Sequence, residues 1–141
     1  MKNFKHILSL SLIVLFIFLA FGSLFESKDE KKTYKPDSDG SIKISAVSLY
    51  REYKDNPVSA DEKFKGKMLK VDGTVDLISQ ESDGRISVML EANVINGFVF
   101  CYFPGSQSRE IAKISKGNYK TIKGKCTGFL AGVTLEDCEI Y

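Results

Sequence analysis

The stretch "KMLKVDGTVDLIS", Lys67–Ser79, decides how this chain folds. Leu69, Val71, Val75 and Leu77 alternate with Lys70, Asp72, Thr74 and Asp76. Side chains along a strand point to opposite faces in turn, so a period of two predicts one half-buried strand with the apolar set inside. At about 12 residues it is long enough to bend, and Gly73 supplies the place for a bend or bulge.

Downstream, "ESDG" (81–84) reads as a turn, and "RISVMLEA" (85–92) as a second strand with Ile86, Val88 and Leu90 inward. "GFVFCYF" (97–103) is a third strand, ended by Pro104-Gly105. "SREIAKIS" (108–115) predicts a short helix capped by Ser108, with Ile111 and Ile114 on one side. "GNYKTIKGKCTG" (117–128) and "VTLEDCEIY" (133–141) are the fourth and fifth strands. Upstream, "ISAVSLYREYKDNP" (44–57) predicts a helix: Ser45 is a good N-cap, and Ala46, Leu49, Tyr50 and Tyr53 form one stripe. Asn56-Pro57 ends it, and "SADEKF" (59–64) adds a second turn with Ser59 as cap and Glu62 at the capping-box position. Helix, three strands, short helix and two strands, with a long kinked first strand, predict a mainly β (α+β) chain. The expected architecture is a five-stranded Greek-key barrel of the OB-fold type, with an N-terminal helix and a short helix between strands 3 and 4.

The N-terminal 43 residues read differently. "MKNFKHILSLSLIVLFIFLAFGSLF" (1–25) has a basic start and then an uncharged run of 19 residues, Ile7–Phe25, close to the ~20 that a membrane helix needs. Ala20 and Gly22 are small at both positions that a signal peptidase reads, so a cleaved signal and an uncleaved anchor both stay open. "ESKDEKKTYKPDSDGS" (26–41) is charged and apolar-poor and reads as solvated tether. The expected organisation is a hydrophobic N-terminal helix over 1–25, a tether over 26–43 and a folded domain over 44–141, outside the membrane in a bacterial cell envelope.

Composition removes several classes of function. The chain carries 20 Lys and Arg against 18 Asp and Glu, but Lys2 and Lys5 precede the first acid, Glu26, so the rest is neutral. A neutral body lacks the basic excess that drives binding to a phosphate backbone, and nucleic acid is disfavoured. The one histidine, His6, lies in the leader, which excludes His-based triads and His-containing zinc sites from the body. Three cysteines, at 101, 126 and 138, include no CxxC and are too few for a four-Cys cluster. "GKCTGFLAG" (124–132) leads into a strand, so it is a turn and not a phosphate loop. No nucleophile–base pair can be assembled; neither enzyme chemistry nor a cofactor or metal is expected.

The stretches 44–79, "VFCYF" (99–103), "KGNYKTIKGKCTG" (116–128) and "VTLEDCEI" (133–140) together resemble the tRNA-anti-like family of exported bacterial OB-fold domains. The features that carry the resemblance are Tyr50 and Tyr53 with Asn56, Ala60-Asp61, Lys65-Gly66-Lys67, Val71 with Gly73, and the three cysteines. Ser48 departs from it, standing where an acid would complete a capping box with Ser45. The resemblance implies fold and export; it implies no catalytic residue and no ligand.

In such a barrel the third and fifth strands are neighbours, which makes Cys101 and Cys138 the candidate disulfide. A hairpin register that puts Cys126 opposite Leu135 leaves Cys126–Cys138 about 10 Å apart along the strands, too far without a bulge. Three free buried thiols are the remaining alternative. OB domains commonly take ligands on the second and third strands, between the 1–2 and 4–5 loops. The candidate ligand face is therefore Arg85, Met89, Phe98, Phe100 and Tyr102, with Phe129, Lys123 and Lys125. The N-terminal helix is expected to cover the aromatic row, because so large an apolar patch rarely stays bare. The function expected is an extracytoplasmic binding or interaction module of unknown ligand, attached to the membrane through its N-terminal segment or secreted. The alternative is a binder of single-stranded nucleic acid or an anionic glycan, using the aromatic strand and the basic stretch Lys113–Lys125.

Overall fold

The computed structural model describes residues 33–93 and 95–141, of which Thr33–Tyr141 form one compact unit. The expected leader (1–25) and the first part of the expected tether lie outside the described residues. Among the described residues, no helix is long and apolar enough to cross a membrane.

The elements are β1 (Ile42–Ser45), α1 (Ala46–Asp55), α2 (Pro57–Phe64), β2 (Met68–Gln80), β3 (Ile86–Glu91) and β4 (Phe98–Phe103). A 3-10 turn, Gly105–Gln107, then leads into α3 (Ser108–Ile111), followed by β5 (Tyr119–Phe129) and β6 (Val133–Ile140). The strand order is β1-β2-β3-β4-β6-β5, and β5 returns to pair with β2. That last pairing closes five strands into a mixed barrel, antiparallel except where β4 and β6 run parallel. The interior is filled by Leu69, Val71, Val75, Val88, Leu90, Val99, Phe103, Ile122 and Leu135, all fully buried.

β2 reaches three neighbours by dividing itself. Its first half pairs with β1 on one side and β5 on the other, from Leu69 to Asp72; its second half, Val75–Gln80, pairs with β3. Gly73 stands between the halves, where an added Cβ would lie 3.1 Å from the Cβ atoms of both Ala46 and Leu90. Its missing side chain thus lets α1 settle on the barrel. A bulge between Val75 and Leu77 follows. The bulge inserts one residue, which reverses the facing of everything after it. Leu77, expected inside, therefore points out at 48% exposure, and Ile78 turns inward opposite Val88.

α1 starts as expected, with the Ser45 hydroxyl accepting from the amide of Ser48. α2 starts earlier than expected: Asn56, not Ser59, caps it, accepting from the Ser59 amide, and Pro57 occupies the first turn. Proline there loses no hydrogen bond, so the residue that stops α1 also begins α2.

The end of the expected tether is part of the fold. Ile42 and Ile44 are buried and pair in parallel with Leu69 and Val71, forming a strand that the charged composition around them conceals. Tyr34 donates to Glu52, 3.0 Å away, and packs edge-on against Phe64. Burial is the main reason its hydroxyl is pushed up to about 12. The turn at Asp37–Gly40 meets an electrostatic need. Lys43, Lys70 and Lys123 lie side by side on β1, β2 and β5. Like charges opposite one another in a sheet repel. Asp37 and Asp39 reach Lys70 at 3.2 and 3.1 Å, Asp39 also reaches Lys123 at 3.3 Å, and the Tyr141 ring covers the Lys70 ammonium. Lys70 is buried and nonetheless charged, its pKa raised by the Tyr141 and aspartate contacts against the opposing effect of burial.

Two outcomes check this account. Val75→Ala is expected to cost about 2 kcal/mol, from lost methyl burial and the cavity left behind. Leu77→Ala should stay within about 0.5 kcal/mol, as a surface site does. Urea midpoints of the two variants measure this, and equal losses would refute the bulge. The clasp at Asp39 gives a pH signature. Hydrogen bonds from the Ser41 hydroxyl and amide, then from Lys70, hold its carboxyl well below the ordinary value. A depressed folded pKa stabilises above the unfolded value and is lost as pH falls toward the folded one. The Ile42 and Ile44 methyl resonances should therefore hold steady from about pH 8 down through the ordinary carboxylate value near ~4 and move only below it.

Candidate functional site

The outer face of β3 and β4 is set by their register. Ser87 pairs with Tyr102, Met89 with Phe100 and Glu91 with Phe98, while the alternate positions enter the barrel. On one side of Met89, the bulge in β2 places Leu77; on the far side of Phe100, β6 places Thr134. Leu77, Met89 and Phe100 thus form a continuous apolar line across three strands, flanked along β4 by Phe98 and Tyr102. The Phe98 and Phe100 rings are 6.4 Å apart and tilted by 55°.

The helix does not cover this row. α1 packs through Ala46 against Gly73 and Leu90, and its Tyr50 and Tyr53 rings meet Phe129 at 5.7 and 5.9 Å. Phe98, Phe100 and Tyr102 each stay half-buried. What covers Phe100 in part is the β5–β6 turn. A Cβ on Gly132 would lie 2.5 Å from the Phe98 carbonyl oxygen and 2.6 Å from the Phe100 ring, so only glycine fits there.

Arg85 anchors one end. The turn at Glu81–Gly84, with Gly84 at φ 85°, brings Asp83 back to accept from the Arg85 amide at 3.0 Å and its Nε at 2.7 Å. The guanidinium also donates to Glu136 at 2.9 Å and lies 4.8 Å over the Tyr102 ring. These hydrogen bonds raise the Arg85 pKa and lower that of Asp83, so both stay ionised. A recess of about 380 Å³ opens beside them, between this turn and Pro104-Gly105. The other candidate residues lie apart from the row. Lys125 stands on β5 in register with Glu136, Lys123 is held in the lysine row by Asp39 and Glu139, and Phe129 belongs to the aromatic cluster under α1.

The three cysteines are buried, with free thiols. The expected register holds at Cys126 opposite Leu135 and at Lys125 opposite Glu136, but a bulge then moves Lys123 opposite Glu139. Asp137, at φ 52°, absorbs the extra residue and turns Cys138 inward. There it meets Gly124, where a Cβ would be 2.6 Å from its sulfur. Burial first, and then contact with Cys138, push the Cys101 thiol well above its usual range; the two are neighbours. Burial likewise raises Cys126, which shares a 3.4 Å contact with the Tyr53 hydroxyl. Thiols held protonated are poor nucleophiles.

Sequence reasoning missed Glu136, placed Leu77 in the core, and took Glu91 as one of a solvated acidic run (Asp72, Asp76, Glu81, Asp83, Glu91). The adjacent pair Leu77-Ile78, which breaks strict alternation, was the available signal for Leu77. Nothing local marks Glu136, because its place depends on pairing across the barrel.

A closed five-stranded barrel in which the third and fifth barrel strands run parallel, with an aromatic row on the third, is an OB-fold domain. The chain belongs to the tRNA_anti-like family, whose match spans residues 1–140. No curated protein matches it. Among solved structures it is similar to a "putative nucleic acid-binding lipoprotein" of Klebsiella pneumoniae subsp. pneumoniae MGH 78578, at 20% identity and a TM-score of 0.64, over 76% of this chain and 99% of that one. Smaller likenesses run to the Stn1–Ten1 complex of S. pombe (18% identity, TM-score 0.42, over 52% of this chain and 57% of that one) and to asparaginyl-tRNA synthetase of Entamoeba histolytica (13%, 0.43, over 55% and 21%).

Proposed function

We propose that this chain is an extracytoplasmic OB-fold binding module, membrane-tethered or secreted and without catalytic machinery, that takes its ligand on the outer face of β3 and β4. The observation that carries the reading is the apolar line of exposed Leu77 and half-buried Met89 and Phe100, with half-buried Phe98 and Tyr102, in the region where OB domains commonly bind. Export rests on the uncharged run Ile7–Phe25. The Klebsiella protein is described as a lipoprotein, and that wording favours an envelope location here as well. The means of attachment would differ, since residues 1–32 contain no cysteine to carry a lipid. Attachment would come from the apolar run itself. A second reading, a binder of single-stranded nucleic acid or an anionic glycan, is favoured by the nucleic-acid binding ascribed to the Klebsiella protein.

Two measurements test the module. In spheroplasts, protease added outside should digest the folded part of the full chain; protection equal to that of a cytosolic marker would overturn export. A photo-crosslinking residue at Met89 should give a discrete adduct in the envelope that the same residue at exposed Lys54 does not. Equal adducts at both positions, or none at Met89, would count against the face.

The same reading includes a disulfide between the neighbouring Cys101 and Cys138. Their two thiols would give up two protons and two electrons to an exchange partner, whose own disulfide is reduced to thiols. Alkylation of the denatured exported protein should then label Cys126 alone without reductant and all three cysteines with it. Three labels without reductant would rule the bond out.

A further inference from the structure

We infer that the occupant of the β3–β4 face is a cationic polypeptide segment carrying apolar side chains between its lysines or arginines. This rests on the face assigned above and goes further by naming the chemistry that it accepts.

The first ground is the sign of the charge around the line. Glu81, Asp83, Glu91 and Glu136 border it, against the single guanidinium of Arg85. Glu81 is fixed by the Ser87 hydroxyl at 2.6 Å, on the face itself. Asp83 and Glu136 share Arg85 between them, which leaves one negative charge over. Glu91 is exposed beside Phe98 and forms no ion pair among the described residues. Lys116, drawn toward Glu91, is bound to Asp76 at 2.8 Å. Lys125, in register with Glu136, reduces the negative balance without reversing it. A phosphate or sulfate chain laid here would meet like charge, whereas a basic segment meets its complement.

The second ground is the shape of the apolar line. Binding of successive bases needs open ring faces on which they can stack. The Tyr102 face is taken by Arg85, and Phe98 and Phe100 are tilted and offset. The other members of the line, Leu77 and Met89, have no ring. Aliphatic and thioether side chains beside half-covered aromatics accept Leu, Ile or Phe of a peptide, and Met, Tyr, Phe and Arg are enriched at protein interfaces.

The third ground lies elsewhere on the barrel. The basic stretch that would have served a polyanion is paired at three of its five lysines: Lys113 with Glu110, Lys116 with Asp76, and Lys123 with Asp39 and Glu139, which leaves Lys120 and Lys125.

The test uses the full chain in a mild non-ionic detergent and three fluorescent probes: a short peptide alternating Lys with Leu and Phe, the same peptide with Glu for Lys, and a single-stranded oligo-dT. The cationic peptide is expected to bind, to weaken with added salt, and to lose at least about fivefold in affinity on Glu91→Lys. Phe100→Ala should lower it about tenfold or more. Leu77→Ala, at an exposed position that does not support the core, repeats that arm should Phe100→Ala fail to fold. The proposal is overturned if the oligonucleotide or the acidic peptide binds instead. Should that binding also fall on Leu77→Ala, the face survives and only its chemistry is wrong. Cationic binding indifferent to both apolar variants, or self-association that Leu77→Ala abolishes, overturns the proposal as well.

Discussion

β2 is the strand on which the barrel depends, because it must hydrogen-bond to β5 with its first half and to β3 with its second. A flat strand cannot turn from one neighbour to the other within 13 residues, so the change is made at two points. Gly73 gives up its side chain and α1 takes the space; the bulge at Asp76–Leu77 completes the turn. The bulge also has a consequence outside the core. It removes Leu77 from the interior and sets it beside Met89 and Phe100, so the step that closes the barrel also extends the apolar line on its surface.

Charge is segregated in the same way. The lysines that β1, β2 and β5 bring side by side are held by the N-terminal turn through Asp37 and Asp39, while the carboxylates of the 81–84 turn, β3 and β6 gather at the other face. The near-zero net charge of the folded part therefore hides an uneven distribution: a lysine row answered by its own aspartates, and a face on which carboxylates are in excess. Compositional neutrality argues against a polyanion only on average. The placement of Glu91 and Glu136 makes the argument local.

Most of the architecture was legible because it rests on local periodicity: the alternation in β2 and β3, the stripe in α1, the Ser45 cap, and the turns around Gly84 and Gly132. What was hidden depends on partners distant in sequence. Ile42 reads as the end of the tether and Ile44 as the head of the helix stretch, yet both become a strand because the first half of β2 has an edge that β3 does not reach. Cys138 looked out of register because the Asp137 bulge cannot be seen without β5 opposite it. Ser59 looked like the α2 cap because Asn56-Pro57 reads first as a stop, although one asparagine serves as the end of one helix and the cap of the next. The aromatic row on β4 was visible, and so was the acidic run through Glu81, Asp83 and Glu91, which reads as a solvated face; its place beside that row was not, since Glu91 and Glu136 come from strands 45 residues apart.

An apolar line spanning three strands is small. Strands lie about 4.8 Å apart, so it is about 10 Å wide and accommodates only a few residues of an extended segment. An interface of this size is at the weak end of protein recognition. Weak binding suits the proposed setting. A module held to the envelope by an apolar segment meets partners confined to the same layer at a high effective concentration, and tethering supplies what a small face cannot. A charged border then serves chiefly to select: it speeds encounter with basic segments and repels acidic ones, while the apolar line sets how long they stay. That division of labour needs a rigid face more than a deep pocket, and strands locked into a closed barrel provide one.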